Sequence, residues 1–317
     1  MLTDKELYGG FTTPLDREPP QMALDRKLII NVAPTGAFTT REQNPLHPVT
    51  TEQIVDAVVE SYRAGASVWH VHVRDKDGLT TKDPKDFKRT IDLVLERCPG
   101  IITSVIPYAN VTSQGVEQIK PMVDYLTDAG PRYMQTAVLL IQTMSFSEKF
   151  SFVVNEPLFA GVVDYLESRG VRPEFQVHSY GGMRDVCDWV LAKGIAKKPY
   201  LFNIMSGYHG FSHGSPPAPD PWNYIYMMTM QQTIPSGSCV GACCGGRNWL
   251  PFANQAIILG FDAVRIGMED AVYMYPHKDQ KIERCGDVVR KIATIARELG
   301  REIATPAEAR QIMGLGT

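Results

Sequence analysis

From Lys27 onward, short β-branched and apolar runs alternate with longer segments of helical period. Leu28-Ile29-Ile30-Asn31-Val32 reads as a first strand. Thr50, with Gln53 three residues on, makes a capping box for the helix that follows, and Arg63-Ala64-Gly65 is its glycine stop. Further strands are expected at Ser67–Val73, Ile101–Ile106, Tyr133–Leu139, Glu174–His178, Tyr200–Met205, Ser238–Ala242 and Asp262–Ile266. Helices are expected at Lys85–Arg97, Gln114–Leu126, Pro157–Arg169, Met183–Ala192, near Trp222–Gln232 and Trp249–Leu259, and at Arg284–Leu299. About eight β-then-α units predict a (β/α)₈ TIM barrel, an α/β fold, over residues 27–317. Residues 1–26, polar and rich in Pro and Gly, read as an N-terminal arm. An open doubly wound sheet is the competing fold, and the missing G-x-G-x-x-G fingerprint weighs against it. The long connections Thr143–Asn155 and Ser206–Pro221 read as lids.

Composition narrows the classes. The 317 residues are 44% hydrophobic and 21% charged, enough to bury a large core. A net charge of −3 gives no basic footprint for nucleic acid. No apolar window is long enough for a membrane span, and the N-terminus lacks the apolar stretch of a signal peptide, so a cytoplasmic location is expected. The six cysteines form no disulfide framework. Cys239, Cys243 and Cys244 have no second pair to complete a thiolate metal site and read as small buried thiols.

Two strand ends carry candidate chemistry. In Val68-Trp69-His70-Val71-His72-Val73-Arg74-Asp75, His70 and His72 share a face and sit at the C-terminal end of the second strand, where barrel active sites lie. Two imidazoles there suit Zn²⁺; the competing reading is a pair of core histidines. In Ala263-Val264-Arg265-Ile266-Gly267-Met268-Glu269-Asp270, Arg265 and Glu269 share parity. The eighth strand closes onto the first, so Glu269 can reach a metal on His70 and His72. A structural ion pair with Arg265 is the alternative.

On these residues the chain resembles the β-keto acid cleavage enzymes. The likeness covers about Lys27 to Met313. It rests on His70–Asp75, Asn44-Pro45, Ala64-Gly65-Ala66, Gly246-Arg247 and, most strongly, Val264–Asp270. The resemblance implies a TIM barrel with one Zn²⁺ on His70, His72 and Glu269, catalytic roles for Asp270 and Arg265, and a homo-oligomer, often a tetramer. It also implies the reaction, in which a β-keto acid and acetyl-CoA give acetoacetate and a new acyl-CoA. Asp270 is then the candidate base for the acidic C2 proton, oriented by Arg265.

The substrate side departs from the family pattern. Phe38 follows Gly36-Ala37 where the family often has an acid, which argues against a substrate amino group. After the third strand a Thr/Ser-Thr-Gly-Gly turn is replaced by a stretch containing Tyr108 and Asn110. The fifth strand ends Gln176-Val177-His178-Ser179 rather than in acids, which makes His178 a candidate substrate contact. Thr136 matches a family threonine that helps hold substrate, and is equally an ordinary strand residue. Gly246 and Arg247 precede a helix and are candidates for CoA phosphates or a carboxylate; the alternative is a plain turn.

A metal-dependent hydrolase of amidohydrolase type is the rival function, because His178, His209 and Asp270 could imitate its ligands. Its H-x-H ends the first strand, however, not the second. A non-enzymatic metal or metabolite-binding barrel is the third class. Asp262 and Asp279 read as solvated or turn acids, and the aromatic run from Trp222 to Met228 as helix packing or a subunit interface.

Overall fold

The protein is described from a computed structural model, which covers residues 24–36, 39–107, 115–141, 144–147, 150–207 and 222–316, with Thr3, Glu6 and Gly9. Phe38, Tyr108, Asn110, His209, His213 and nearly all of the expected arm lie outside the described residues.

Eight parallel strands close a barrel: β1 (Ile29–Val32), β2 (Val68–Val71), β3 (Ile102–Val105), β4 (Thr136–Leu140), β7 (Arg172–Val177), β8 (Tyr200–Ser206), β9 (Ser238–Cys244) and β10 (Ala263–Ile266). An antiparallel hairpin, β5 (Met144–Ser147) with β6 (Phe150–Phe152), fills the connection after β4. Each crossover carries a helix, as parallel pairing requires: α1 (Thr51–Ala64), α2 (Pro84–Arg97), α3 (Val116–Ala129), α4 (Glu156–Ser168), α5 (Tyr180–Val186, continued by a π-helical turn to Leu191), α6 (Trp222–Thr233), α7 (Trp249–Ile258) and α8 (Cys285–Glu298). The Thr50–Gln53 capping box forms, and Gly65 closes α1 at φ 117°, a left-handed conformation open to glycine. A short last helix, α9 (Pro306–Met313), was not expected from the sequence. None of the described helices is long and apolar enough to cross a membrane.

The barrel interior is stratified. At its N-terminal end Ile29, Val68, Ile102, Leu201 and Cys239 form an apolar cluster that Ala309 and Met313 of α9 cover. This cluster is separate from the main core between the strands and the helix ring. Above it the interior turns polar, with Asn31, Ser104, Glu174, Asn203 and Arg265 all buried. The mouth lies above that layer. The bottom of the barrel therefore serves stability, and the top is free for chemistry.

One expectation fails. Asp262 is not a solvated acid: it is 5% exposed and accepts the Val240 amide at 2.8 Å, so it ties β9 to the start of β10. The expected buried thiols are found, with Cys239, Cys243 and Cys244 all buried and unpaired to one another.

Candidate active site

Parallel pairing fixes the site. β1 lies between β2 and β10, with Asn31 level with both Val68 and Arg265. Residues just past β2 and β10 therefore meet across the end of β1. His70 and His72 are 1% and 3% exposed, and their rings stand 4.9 Å apart, edge to face. Glu269, 1% exposed, comes between them: its Oε1 is 3.2 Å from His72 Nε2 and its Oε2 is 3.5 Å from His70 Nε2. Among the described residues these three make up the cluster able to hold a metal ion, with ligand atoms all within 4.8 Å of one another.

Two glycines make this convergence possible. A Cβ on Gly36 would fall 2.0 Å from the Glu269 carboxyl carbon. Gly267 has φ 152°, and a Cβ there would fall 2.1 Å from the Ala33 carbonyl oxygen. That closeness lets the Glu269 amide donate to Ala33 at 3.0 Å and pins the acid's backbone to β1. Thr39 Oγ1 donates to the Glu269 carbonyl at 2.9 Å. Behind Gly36, the buried His47 ring meets Thr35 Oγ1 at 3.0 Å, and Arg74 donates to the Gly36 carbonyl at 2.6 Å.

The residues present fit a divalent metal. Burial, and then the Arg265 guanidinium, hold the His70 imidazole well below its ordinary range, so it is neutral and able to ligate. Burial would raise the Glu269 pKa, but Arg265 and the two imidazoles outweigh it and keep the carboxylate charged. Glu269 Oε2 is buried and accepts no hydrogen bond, although Arg265 Nη2 is 3.1 Å away. A charged oxygen left so in a protein interior is costly unless a cation completes it. Two imidazoles and one carboxylate form a borderline-soft donor set that leaves a coordination position for substrate.

Beside the cluster, Arg265 grips Asp270 by two bonds, Nε to Oδ2 at 3.1 Å and Nη2 to Oδ1 at 2.8 Å. This is the fork geometry that orients a carboxylate most firmly. The Asp270 carbonyl accepts the Gly246 amide at 2.7 Å. Gly246, at φ 82°, thus anchors the loop after β9 to Asp270, with its amide already engaged. Arg247 lies 3.6 Å from the Tyr273 ring centroid, donates to the Lys278 carbonyl at 2.9 Å and pairs with Asp279.

Thr136 and His178 are buried on the opposite wall. Thr136 Oγ1 donates to Glu174 Oε2 at 3.3 Å, inside the barrel. His178 sits at the end of β7, and burial, with Arg265, pushes its imidazole down to about 4. Sequence reasoning brought together His70, His72, Arg265, Glu269 and Asp270, as the structure does. It missed Glu174, Gly36, Gly267 and His47. For Glu174 the signal was present: Glu174, Gln176 and His178 alternate along one strand face.

Comparison with known proteins agrees with this geometry. The model of the β-keto acid cleavage enzyme family matches residues 27–315. The chain belongs to the β-keto acid cleavage enzyme family. It is 35% identical over 289 residues to a 3-keto-5-aminohexanoate cleavage enzyme of Fusobacterium nucleatum, covering 91% of this chain and 98% of that protein. It is 30% identical over 315 residues to a 3,5-dioxohexanoate:acetyl-CoA acetone transferase of Paraburkholderia graminis, covering 93% and 97%. Among solved structures, the complex of ObcA with oxaloacetate shares the fold at a TM-score of 0.69 and 19% identity, over 86% of this chain and 68% of that one.

Gly36→Ala is expected to weaken metal binding by about 10- to 100-fold, because its methyl group displaces the Glu269 carboxylate. Zinc titration of the folded variant measures this, and wild-type affinity would mean that the carboxylate is not a ligand. A second outcome concerns pH. Burial, with Arg74 beside His47 and Arg265 beside His178, pushes both imidazoles down to about 4. In the unfolded chain they take up protons near pH 6.5. Stability is therefore full above that pH and falls as pH drops toward 4, by up to about 1.4 kcal/mol per imidazole per pH unit. Urea midpoints at pH 7.5 and 5.0 should show the fall, and His47→Gln should lessen it.

Proposed function

We propose that this β-keto acid cleavage enzyme is zinc-dependent and condenses a β-keto acid with acetyl-CoA, yielding acetoacetate and a new acyl-CoA. The observation that carries this reading is the Asp270 carboxylate, held in a two-point grip by Arg265 next to the His70–His72–Glu269 cluster. The acetyl-CoA part follows the name of the relative from Paraburkholderia. Zinc suits two imidazoles and a carboxylate, and when bound it supplies Lewis-acid stabilisation of the negative charge that builds up on the keto oxygen.

The chain's own groups do the rest. Asp270 takes the C2 proton of the keto acid as general base, an effect typically of about 10²- to 10⁴-fold. Arg265 fixes the carboxylate's angle through its two-point grip. The C2 carbanion attacks the acetyl carbonyl, forming a carbon–carbon bond and expelling the CoA thiolate. The thiolate then attacks the original ketone carbon, and the bond from that carbon to C2 breaks. The new acyl-CoA leaves, and the departing carbanion recovers a proton from Asp270 as acetoacetate. Atoms and charge balance over the cycle.

The opposite wall sets substrate choice. His178 is a neutral imidazole there; Phe38 and Tyr108, outside the described residues, are the further candidates for substrate contact from the sequence. Arg247 serves the CoA phosphates from the rim, beside the start of α7, whose first residue Trp249 has no side-chain cap before it. The enzyme works as a cytoplasmic homo-oligomer, a tetramer. The hydrolase alternative is not favoured. It needs histidine ligands beyond His70 and His72, whereas the metal cluster among the described residues is completed by Glu269, and Asp270 is engaged by Arg265.

Two substitutions separate the roles. Glu269→Gln should lose most of its bound zinc, as measured by elemental analysis, and with it turnover. Asp270→Asn should keep the zinc and lose about 10²-fold or more in kcat. A panel of β-keto acids with acetyl-CoA, read as CoA esters by mass spectrometry, supplies the assay. An Asp270→Asn enzyme at full rate removes Asp270 as the base.

A further inference from the structure

Barrels of this size are normally filled with branched apolar side chains. This one is polar immediately beneath its mouth. Asn31 of β1, Glu174 of β7, Asn203 of β8 and Arg265 of β10 line one cavity of about 30 Å³ with Gly241 of β9, and the apolar cluster at the N-terminal end of the barrel forms its floor. Asn31 is in register with Arg265, and Asn203 with Gly241. Gly241 leaves the space open, since a Cβ there would sit 3.3 Å from Asn203 Oδ1.

The lining carries unmet hydrogen-bonding capacity. Asn31 and Asn203 are 6% and 3% exposed, and the Oδ1 atom of each is buried without a hydrogen-bond partner. Each such acceptor is costly if it stays unmet. Glu174 is held by Ser104 at 2.8 Å and by Thr136 at 3.3 Å, and both bonds end on Oε2, so Oε1 is the oxygen left for the cavity. A space of this volume holds about two water molecules, and water is stable where several polar groups converge.

We propose that Asn31, Glu174 and Asn203 are positioning residues for Arg265 and that they act on its guanidinium through water bound in this cavity. The water donates to the two amide oxygens and to Glu174 and accepts from the guanidinium above. Arg265 is then restrained from below as well as by Asp270 and Glu269, so the angle at which it presents the Asp270 carboxylate is fixed. Thr136 enters the site through this layer, as a support for Glu174. The inference rests on the reading of Asp270 and Arg265 as the reactive pair.

A high-resolution crystal structure of the zinc-loaded protein should show ordered water bonded to Asn31 Oδ1 and Asn203 Oδ1. Asn203→Leu, which fills the space with apolar atoms, should keep its zinc and its KM for acetyl-CoA, lower kcat by about 10- to 100-fold, and show Arg265 turned off Asp270. Asn203→Ser, which restores an acceptor and room for water, should recover most of kcat. A dry wild-type cavity overturns the proposal, as does an Asn203→Leu enzyme with unchanged kcat or with its loss confined to KM. The wild-type water positions decide the matter even if Asn203→Leu does not fold. They also do so if the chain turns over no β-keto acid, a result that would count against the proposed reaction and not against this layer.

Discussion

The site is organised by the need to keep one buried carboxylate charged. Taking the Glu269 carboxylate out of water costs several kcal/mol, and attraction to neighbours offsets this only when they are close and well placed. Arg265 supplies the positive charge, and the two imidazoles approach from the other side. Removing a neighbour would leave an uncompensated charge in the interior. The surrounding backbone follows from that requirement: no side chain fits at Gly36, and Gly267 touches the Ala33 carbonyl. One guanidinium stands against two carboxylates, Glu269 and Asp270. A divalent ion held by the cluster would add positive charge at the mouth, which favours an anionic substrate.

Part of this arrangement was legible in the sequence because strand parity is a local rule: His70 and His72, two apart at the end of β2, share a face. Arg265 and Glu269 were paired by the same rule, but β10 ends at Ile266, and Glu269 reaches the cluster through the turn at Gly267 instead. The closure of the last strand onto the first then brought the two groups together, as the pairing of β1 with β2 and β10 shows. The eight-fold alternation was equally plain, since each unit carries its own caps and stops. What escaped needed three-dimensional information. Gly36 looks like an ordinary turn glycine until Glu269 is placed against it. His47 lies in a loop with no periodicity, and its partner Thr35 stands twelve residues earlier in the same β1–α1 connection. Asp262 resembled a turn acid because nothing in its neighbourhood announces the Val240 amide. Glu174 could have been read by the same parity as the histidines, but an acid midway along an expected core strand invites attention only when it has a partner, and Ser104 and Thr136 are distant in the chain.

The barrel wall divides in two around the site. The candidate metal donors, Arg265 and Asp270 all come from β2 and β10 or just beyond them, strands that flank β1 and pair with it in parallel. A shift of any one would break main-chain hydrogen bonds along with the donor geometry, so side-chain changes there are felt directly in the chemistry. Gln176 on β7 and His178 just past it stand across the barrel, where a substitution leaves the His70–His72–Glu269 cluster in place. Between the walls, Glu174 reaches from β7 toward Ser104 on β3 and Thr136 on β4. On the proposed role of this layer, the cavity it lines links β7 to Arg265. A substitution that disturbs β7 then reaches Arg265 as well, so new specificity is compatible with the reaction only where the side chains beneath the pocket keep their places.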